Sequence, residues 1–275
     1  MTRPVITFAT DFGPSAPAVC RGVMFGIAPD ANIIDISHQI PRYSIRDGAR
    51  TLVFALPHMP VGVHVAVVDP GVGTERRPVA IRVSRGDTLI GPDNGLLVPA
   101  AELLGEIVEV RALENRKLML PVISSSFHGR DIFAPMAAHL AMGTPLEEVG
   151  PGIDPATLVR LSWPIATIRP GELASVITSV LIFGNVTFAG TPTDLEAAIG
   201  PLSVGRRLHV EFSAHDGQAE THEATTWAQT FGSVPVGESL LMADSEGQLS
   251  FADNQGNAAA RLGLAVDRPV RIRGG

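Results

Sequence analysis

The chain has 275 residues, 45% of them hydrophobic and 18% charged, with a formal net charge of −7. That length allows two domains with substantial cores, and the composition excludes a disordered chain. An acidic balance without a basic stripe excludes nucleic acid as the main partner, and the single cysteine, Cys20, excludes an internal disulfide or a cysteine-based zinc site.

No apolar run reaches the roughly 18 residues of a membrane span. Residues 1–4 lead into a strand without a signal-peptide pattern, so a cytoplasmic protein is expected. Residues 5–9 predict the first strand, ending in Thr10-Asp11-Phe12-Gly13. A carboxylate there can accept two hydrogen bonds from a ribose diol, or cap the helix that follows. That helix is predicted over residues 16–27, with Val19, Val23, Met24 and Ile27 on its apolar face. Residues 32–36 form a second strand leading to His38, whose plainer reading is a satisfied loop histidine. A turn over residues 41–44 carries Tyr43, the one tyrosine, which can stack on a flat ligand or pack structurally. A helix is expected over residues 45–56.

Residues 61–68 are Val-rich and predict a buried strand. The strand runs into Asp69-Pro70-Gly71-Val72-Gly73-Thr74, followed by Arg76 and Arg77. Ligands of parallel α/β sheets collect beyond the carboxyl ends of strands, so Asp69 stands where chemistry is usually done. The turn is expected to bring both guanidinium groups back towards it. The alternative is a Pro-Gly loop with a surface ion pair, which is common and weak.

Residues 79–83 and 87–90 read as a hairpin or neighbouring strands. Gly91-Pro92-Asp93-Asn94-Gly95 opens a helix over residues 96–104, and residues 106–110 form a further strand. Next comes Ser124-Ser125-Ser126-Phe127-His128-Gly129-Arg130-Asp131, leading into a helix over residues 129–142. A helix amino terminus favours a neutral imidazole and can hold an anion, which suits His128. This alternation predicts an α/β domain with a mainly parallel central sheet over residues 1–160. Residues 161–170 read as a linker, and residues 171–275 as a smaller, β-rich, barrel-like domain. Its expected strands cover residues 176–182, 207–212, 239–243 and 247–252. Phe183-Gly184-Asn185 and Phe231 are turn or ligand-facing residues, and the Asn185 amide could offer a donor and an acceptor to an adenine edge.

Taken in order, Thr10 to Gly13, Asp69 to Thr74 with Arg76, Gly91 to Gly95, Phe127 to Asp131, Phe183 to Asn185 and Asn254-Gln255-Gly256-Asn257-Ala258-Ala259 form a specific set. It resembles the S-adenosylmethionine hydrolases, or hydroxide adenosyltransferases, which are related to fluorinase and chlorinase. The resemblance covers nearly the whole chain. It implies a homotrimer with active sites between the first domain of one subunit and the second domain of the next. It implies that Asp69, Arg76 and His128 are the catalytic set. Asp11 would hold the ribose, Tyr43 line the sugar, Asn185 contact adenine, Phe231 stack, and Ser245 is retained as a substrate contact. The halogenases lack the Asp-Arg-His set and carry an extra loop; this chain keeps the set and has no insertion between Ser84 and Gly91.

The chain departs from the family pattern at Ala16 and Ala18, at Val180 and Leu181, and at Glu246. Acidic residues near the first and second of these places hold the methionine ammonium in the family. The adenosine half of the site is therefore expected intact and the amino-acid half altered. The expected function is hydrolysis of S-adenosyl-L-methionine to adenosine and L-methionine at the ribose C5′, without metal or cofactor. A different adenosyl sulfonium, a non-catalytic adenosine-binding role and a halide-using reaction stand as alternatives. The expected partner is a small adenosyl substrate, with neither nucleic acid nor membrane.

Overall fold

The computed structural model describes residues 3–275. Met1 and Thr2, which the sequence analysis places ahead of the first strand, lie outside the described residues. The chain divides into two compact units between Leu161 and Ser162.

In the first unit, six strands form one sheet: β1 (Val5–Thr10), β2 (Asn32–Ser37), β3 (Val63–Val67), β4 (Pro78–Val83), β5 (Thr88–Pro92) and β6 (Ile107–Ala112). Their order is β2-β1-β3-β5-β4-β6. The pairs β1–β2, β1–β3 and β3–β5 are parallel, while β4 is antiparallel to both its neighbours. Connection length explains the difference. Residues 84–87 are a tight turn, which can join only antiparallel strands. Helix α1 (Ala16–Ile27) crosses from β1 to β2 and α2 (Ile45–Ala55) from β2 to β3, while β3 reaches its parallel neighbour β5 through β4. The sheet is buried by α1 and α4 (Ala134–Ala141), with Ile6, Phe8, Val65 and Val67 packed in one core with Met24, Phe133 and Met136. A further helix, α3 (Val98–Leu104), packs near α2.

Two expectations need correction here. Val19 is 48% exposed, whereas Cys20 and Met24 are fully buried. Val23, Met24 and Ile27 pack on the core as expected, and Cys20, acting as a small hydrophobe, takes the place expected for Val19. The helix expected over residues 129–142 is two elements. Gly129–Phe133 is a wide π-helical turn, and α4 starts after it. Pro135 lacks a backbone N–H and suits the first turn of a new helix better than the interior of a long one.

The second unit begins with β7 (Thr167–Arg169), β8 (Glu172–Val180) and β9 (Val186–Phe188). It continues with β10 (Arg207–Phe212), β11 (Thr221–Trp227), β12 (Ser239–Ala243), β13 (Leu249–Asp253) and β14 (Pro269–Gly274). Strand β14 pairs with both β10 and β8, which closes a seven-strand barrel with β7 added beside β8. Leu173, Ile177, Phe188, Phe212 and Phe251 fill it. The strand expected over residues 176–182 begins at Glu172 and stops at Val180, and that over 247–252 is shifted to Leu249–Asp253. Sequence patterning missed β7, which lies within the expected linker over residues 161–170, and β9, each only three residues long, and it missed β11 and β14 because their outer faces are polar. On β14, Arg271 and Arg273 bind Glu211 of β10, and Arg273 also binds Glu172 of β8. Arg268, just before β14, is fully buried. Its guanidinium donates to the carbonyls of Phe212, Ser213, Ala219, Leu262 and Gly263.

Candidate active site

Strands β1 and β3 run side by side with Thr10 opposite Val67. Asp11 and Asp69 therefore leave the sheet from the same carboxyl edge. Above that edge lies a cleft of about 340 Å³ whose walls include Asp11, Tyr43, Asp69 and His128.

Two glycines let the motif loops close on one another. At Gly73, φ is +77°, and a Cβ would lie 2.3 Å from the Ser125 carbonyl oxygen, so only glycine lets the Asp69 turn meet the loop carrying His128. A Cβ at Gly129 would lie 2.7 Å from the Phe12 ring, so this second glycine lets the loop after β1 approach the first turn beyond His128.

Arg76 returns across the turn to Asp69. Its Nε donates to Oδ1 at 3.1 Å and its Nη2 donates to Oδ2. The two side chains are only 7% and 4% exposed, so this is a buried bidentate pair rather than a surface contact. Nη2 also donates to His128 Nδ1 at 3.3 Å. A guanidinium has no acceptor, so Nδ1 is the unprotonated nitrogen and the neutral ring carries its hydrogen on Nε2. Burial lowers the His128 pKa below the ordinary value, the Arg76 charge lowers it further, and Asp69 and Asp131 oppose the shift. Arg76 Nη1 is buried and has no partner among the described residues.

Asp11 accepts the Tyr43 backbone N–H at 3.0 Å. It does not cap α1, whose N-cap is Ser15. The bond holds Tyr43 at φ 64°, a left-handed conformation that aromatic residues seldom adopt. His38 is a loop histidine outside the cleft walls, with Nδ1 2.9 Å from Thr10 Oγ1, Nε2 3.0 Å from Asp35 Oδ1 and its ring edge-on to Phe8. Arg77 does not return to Asp69. It binds Asp93 and the Thr157 carbonyl, because adjacent side chains of an extended segment point to opposite sides.

The family model described as SAM hydroxide adenosyltransferase N-terminal domain matches residues 6–150, and the corresponding C-terminal domain model matches residues 177–271. The chain belongs to the SAM hydroxide adenosyltransferase family. Among its relatives, a protein of Salinispora tropica named (R)-S-adenosyl-L-methionine hydrolase is 43% identical, over 99% of this chain and 98% of its own. A protein of the same name from Salinispora arenicola is 39% identical, over 100% of this chain and 99% of its own. The crystal structure of an uncharacterized conserved protein from Thermotoga maritima superposes with a TM-score of 0.83 at 33% identity, covering 97% of this chain and 99% of that one.

Of the residues singled out in the sequence, the first unit gathers Asp11, Tyr43, Asp69 and His128 around one cleft, with Arg76 bound to Asp69 and His128. Asn185, Phe231 and Ser245 belong to the second unit. Asn185 is 9% exposed just before β9, Phe231 lies half-exposed in a short helical turn, and Ser245 is exposed between β12 and β13. Among the departures from the family pattern, Ala16 opens α1, Leu181 begins the β8–β9 turn, and Glu246 sits beside Ser245. Sequence reasoning missed Arg42, Phe12 and Phe127 as walls of the cleft. Each adjoins or lies within a motif already noted, and proximity to Tyr43, Asp11 and His128 was the available signal.

Proposed function

We propose that this protein hydrolyses S-adenosyl-L-methionine to adenosine and L-methionine. The buried constellation of Asp69, Arg76 and His128 beside the cleft carries the reading. The substrate name borne by relatives matched over nearly their whole length supports it, and that name specifies the R form, which we take as the form to test first.

The reaction joins a water oxygen to the ribose C5′ while the C5′–S bond breaks, its electron pair going to sulfur. One proton is released, so the charge of the sulfonium leaves as a hydrogen ion. Attack by hydroxide, or by water as it gives up its proton, neutralises the charge of the sulfonium, so a site that excludes bulk water accelerates it. His128, neutral with its hydrogen on Nε2, can donate to the oxygen. The Arg76 guanidinium, bound to both Asp69 and His128, favours hydroxide over water by its charge. Each Asp69 oxygen keeps a lone pair beyond its bond to Arg76, enough to orient the water and take its proton. Asp11 holds the ribose hydroxyls and Tyr43 covers the sugar. Asn185, Phe231 and Ser245 complete the adenine and amino-acid ends. A carboxylate next to the nucleophile disfavours halide, which argues against the halogenase alternative.

The same reading requires no metal and no cofactor, so activity should survive a chelator. It also takes the enzyme as a homotrimer in which the second unit of a neighbouring subunit completes each cleft. The apolar β8–β9 turn supports this, since Ile182 and Phe183 are 91% and 76% exposed. Light scattering should give three times the chain mass, and a monomeric active enzyme would refute that assembly. A cytoplasmic site of action is part of the proposal; among the described residues no helix is long and apolar enough to cross a membrane.

Incubation with each sulfonium epimer of S-adenosylmethionine in heavy-oxygen water tests the reaction. Adenosine labelled at its 5′ hydroxyl, with an equal amount of methionine, is expected. No adenosine, or unlabelled adenosine, overturns the proposal.

A further inference from the structure

The loop that carries His128 begins with three serines, and Phe127 is its residue packed against the core. The loop is closed into a ring by one side chain at its far end. Asp131 is fully buried and accepts four hydrogen bonds. Its Oδ2 takes the Ser124 N–H and the Ser124 hydroxyl, both at 2.8 Å, and Arg130 Nη2 at 3.1 Å. Its Oδ1 takes Arg130 Nε at 2.5 Å.

Both partners of Asp131 pass the constraint on to Phe127, the residue before His128. Ser124 Oγ accepts the Phe127 N–H at 3.1 Å. The Arg130 guanidinium lies 5.1 Å from the Phe127 ring centroid. From the other side, the Asp131 N–H and the Arg130 N–H both reach the Phe127 carbonyl at 3.1 Å. The wide turn over Gly129–Phe133 follows directly, and such turns recur at functional sites. His128 is thus held between clamped neighbours, and its ring meets Arg76 at 3.3 Å.

We infer that Asp131 is a positioning residue for the hydrolysis, fixing the His128 imidazole against Arg76 by closing the loop through Ser124 and Arg130. This rests on the proposed function. A reacting group displaced by about 1 Å loses on the order of a hundredfold in rate, so the effect belongs in kcat rather than in binding. The Asp131 charge also acts on His128 through space. The other charged groups acting on the ring are Arg76 and Asp69, and Asp11 and Arg42 share the cleft.

The test compares wild type with Ser124→Ala, Ser124→Thr and Asp131→Asn, reading kcat, KM, melting temperature and the pH profile. We expect Ser124→Ala and Asp131→Asn to lower kcat by about 10- to 100-fold while KM changes less than about twofold, and Ser124→Thr to restore most of it. Asp131→Asn should also move the acid limb of the profile to lower pH, because an anion that favours the imidazolium is gone. A folded Ser124→Ala enzyme with wild-type kcat overturns the inference, and so does loss of activity that merely tracks loss of folded protein. If Asp131→Asn fails to fold, Ser124→Ala decides. Nitrogen NMR of the His128 ring reads the same contact without turnover: wild type should show an unprotonated, hydrogen-bonded Nδ1 that Ser124→Ala disturbs. Wild type that forms no adenosine but shows this signature would sink the function and leave the positioning role standing.

Discussion

Arg76 Nη2 donates to His128 Nδ1 across 3.3 Å, which dictates the histidine tautomer. Protonating Nδ1 would set two donors against each other, and burial opposes the charge as well. The imidazole pKa therefore lies below its ordinary value of about 6.5. We predict that the acid limb of the kcat profile lies below pH 6.5, read by rate and by NMR titration. The sign for stability follows from proton binding. The unfolded chain takes up the proton first as pH falls, so this group's contribution is fully present above about pH 6.5 and declines below it until the folded pKa is reached. An acid limb above pH 7 would contradict the assignment.

Asp69 and Arg76 form a buried pair, and removing one partner leaves the other charge stranded. Asp69→Asn should cost on the order of 3–5 kcal/mol of stability in a denaturant melt. It should also lower kcat by about 10²- to 10⁴-fold, the usual contribution of a positioned proton acceptor. A mutant of unchanged stability and rate would show the pair to be idle.

Asp11 has two tasks, since the carboxylate proposed to hold the ribose also restrains Tyr43. Asp11→Ala should raise KM by at least about tenfold, losing two charge-assisted hydrogen bonds. Asp11→Asn keeps an acceptor for the Tyr43 N–H and should lose less. Equal KM values for the two variants would show that the restraint on Tyr43 does not matter to binding.

The parallel strands of the first unit were legible because β1 and β3 are largely apolar runs bounded by polar turns, and their polar exceptions, Thr7 and His64, pair with each other in the core. The Asp69 turn was legible for the same reason, an acid placed where a buried strand ends. The barrel was less so. The outward residues of β14 are arginines, and their partners Glu172 and Glu211 lie far off in sequence, so the pattern looks like a polar loop until the strands are paired. The turn alone did not separate Arg76 from Arg77, and only the family resemblance singled out Arg76; the direction of the chain after the turn sends one to Asp69 and the other to Asp93. The role of Asp131 was hidden too, because Ser124 reaches it only once the loop has closed.

Arg268 gives a check on the second unit. Its buried cation has five backbone carbonyls as partners, and burial lowers its pKa. Arg268→Met would strand those oxygens and should destabilise the barrel by on the order of 3 kcal/mol or more in a thermal melt. A melting temperature within a degree of wild type would refute this.

Closure of the barrel by β14 bears on synthesis. Residues 172–180 leave the ribosome well before residues 269–274, and until then β8 and β10 each present an unpaired edge along a hydrophobic sheet. A nascent chain in that condition is open to mispairing with its neighbours on the same messenger. Stalled or truncated products lacking β14 should therefore aggregate rather than accumulate as folded fragments, and the cell's chaperones would meet this protein late in its translation.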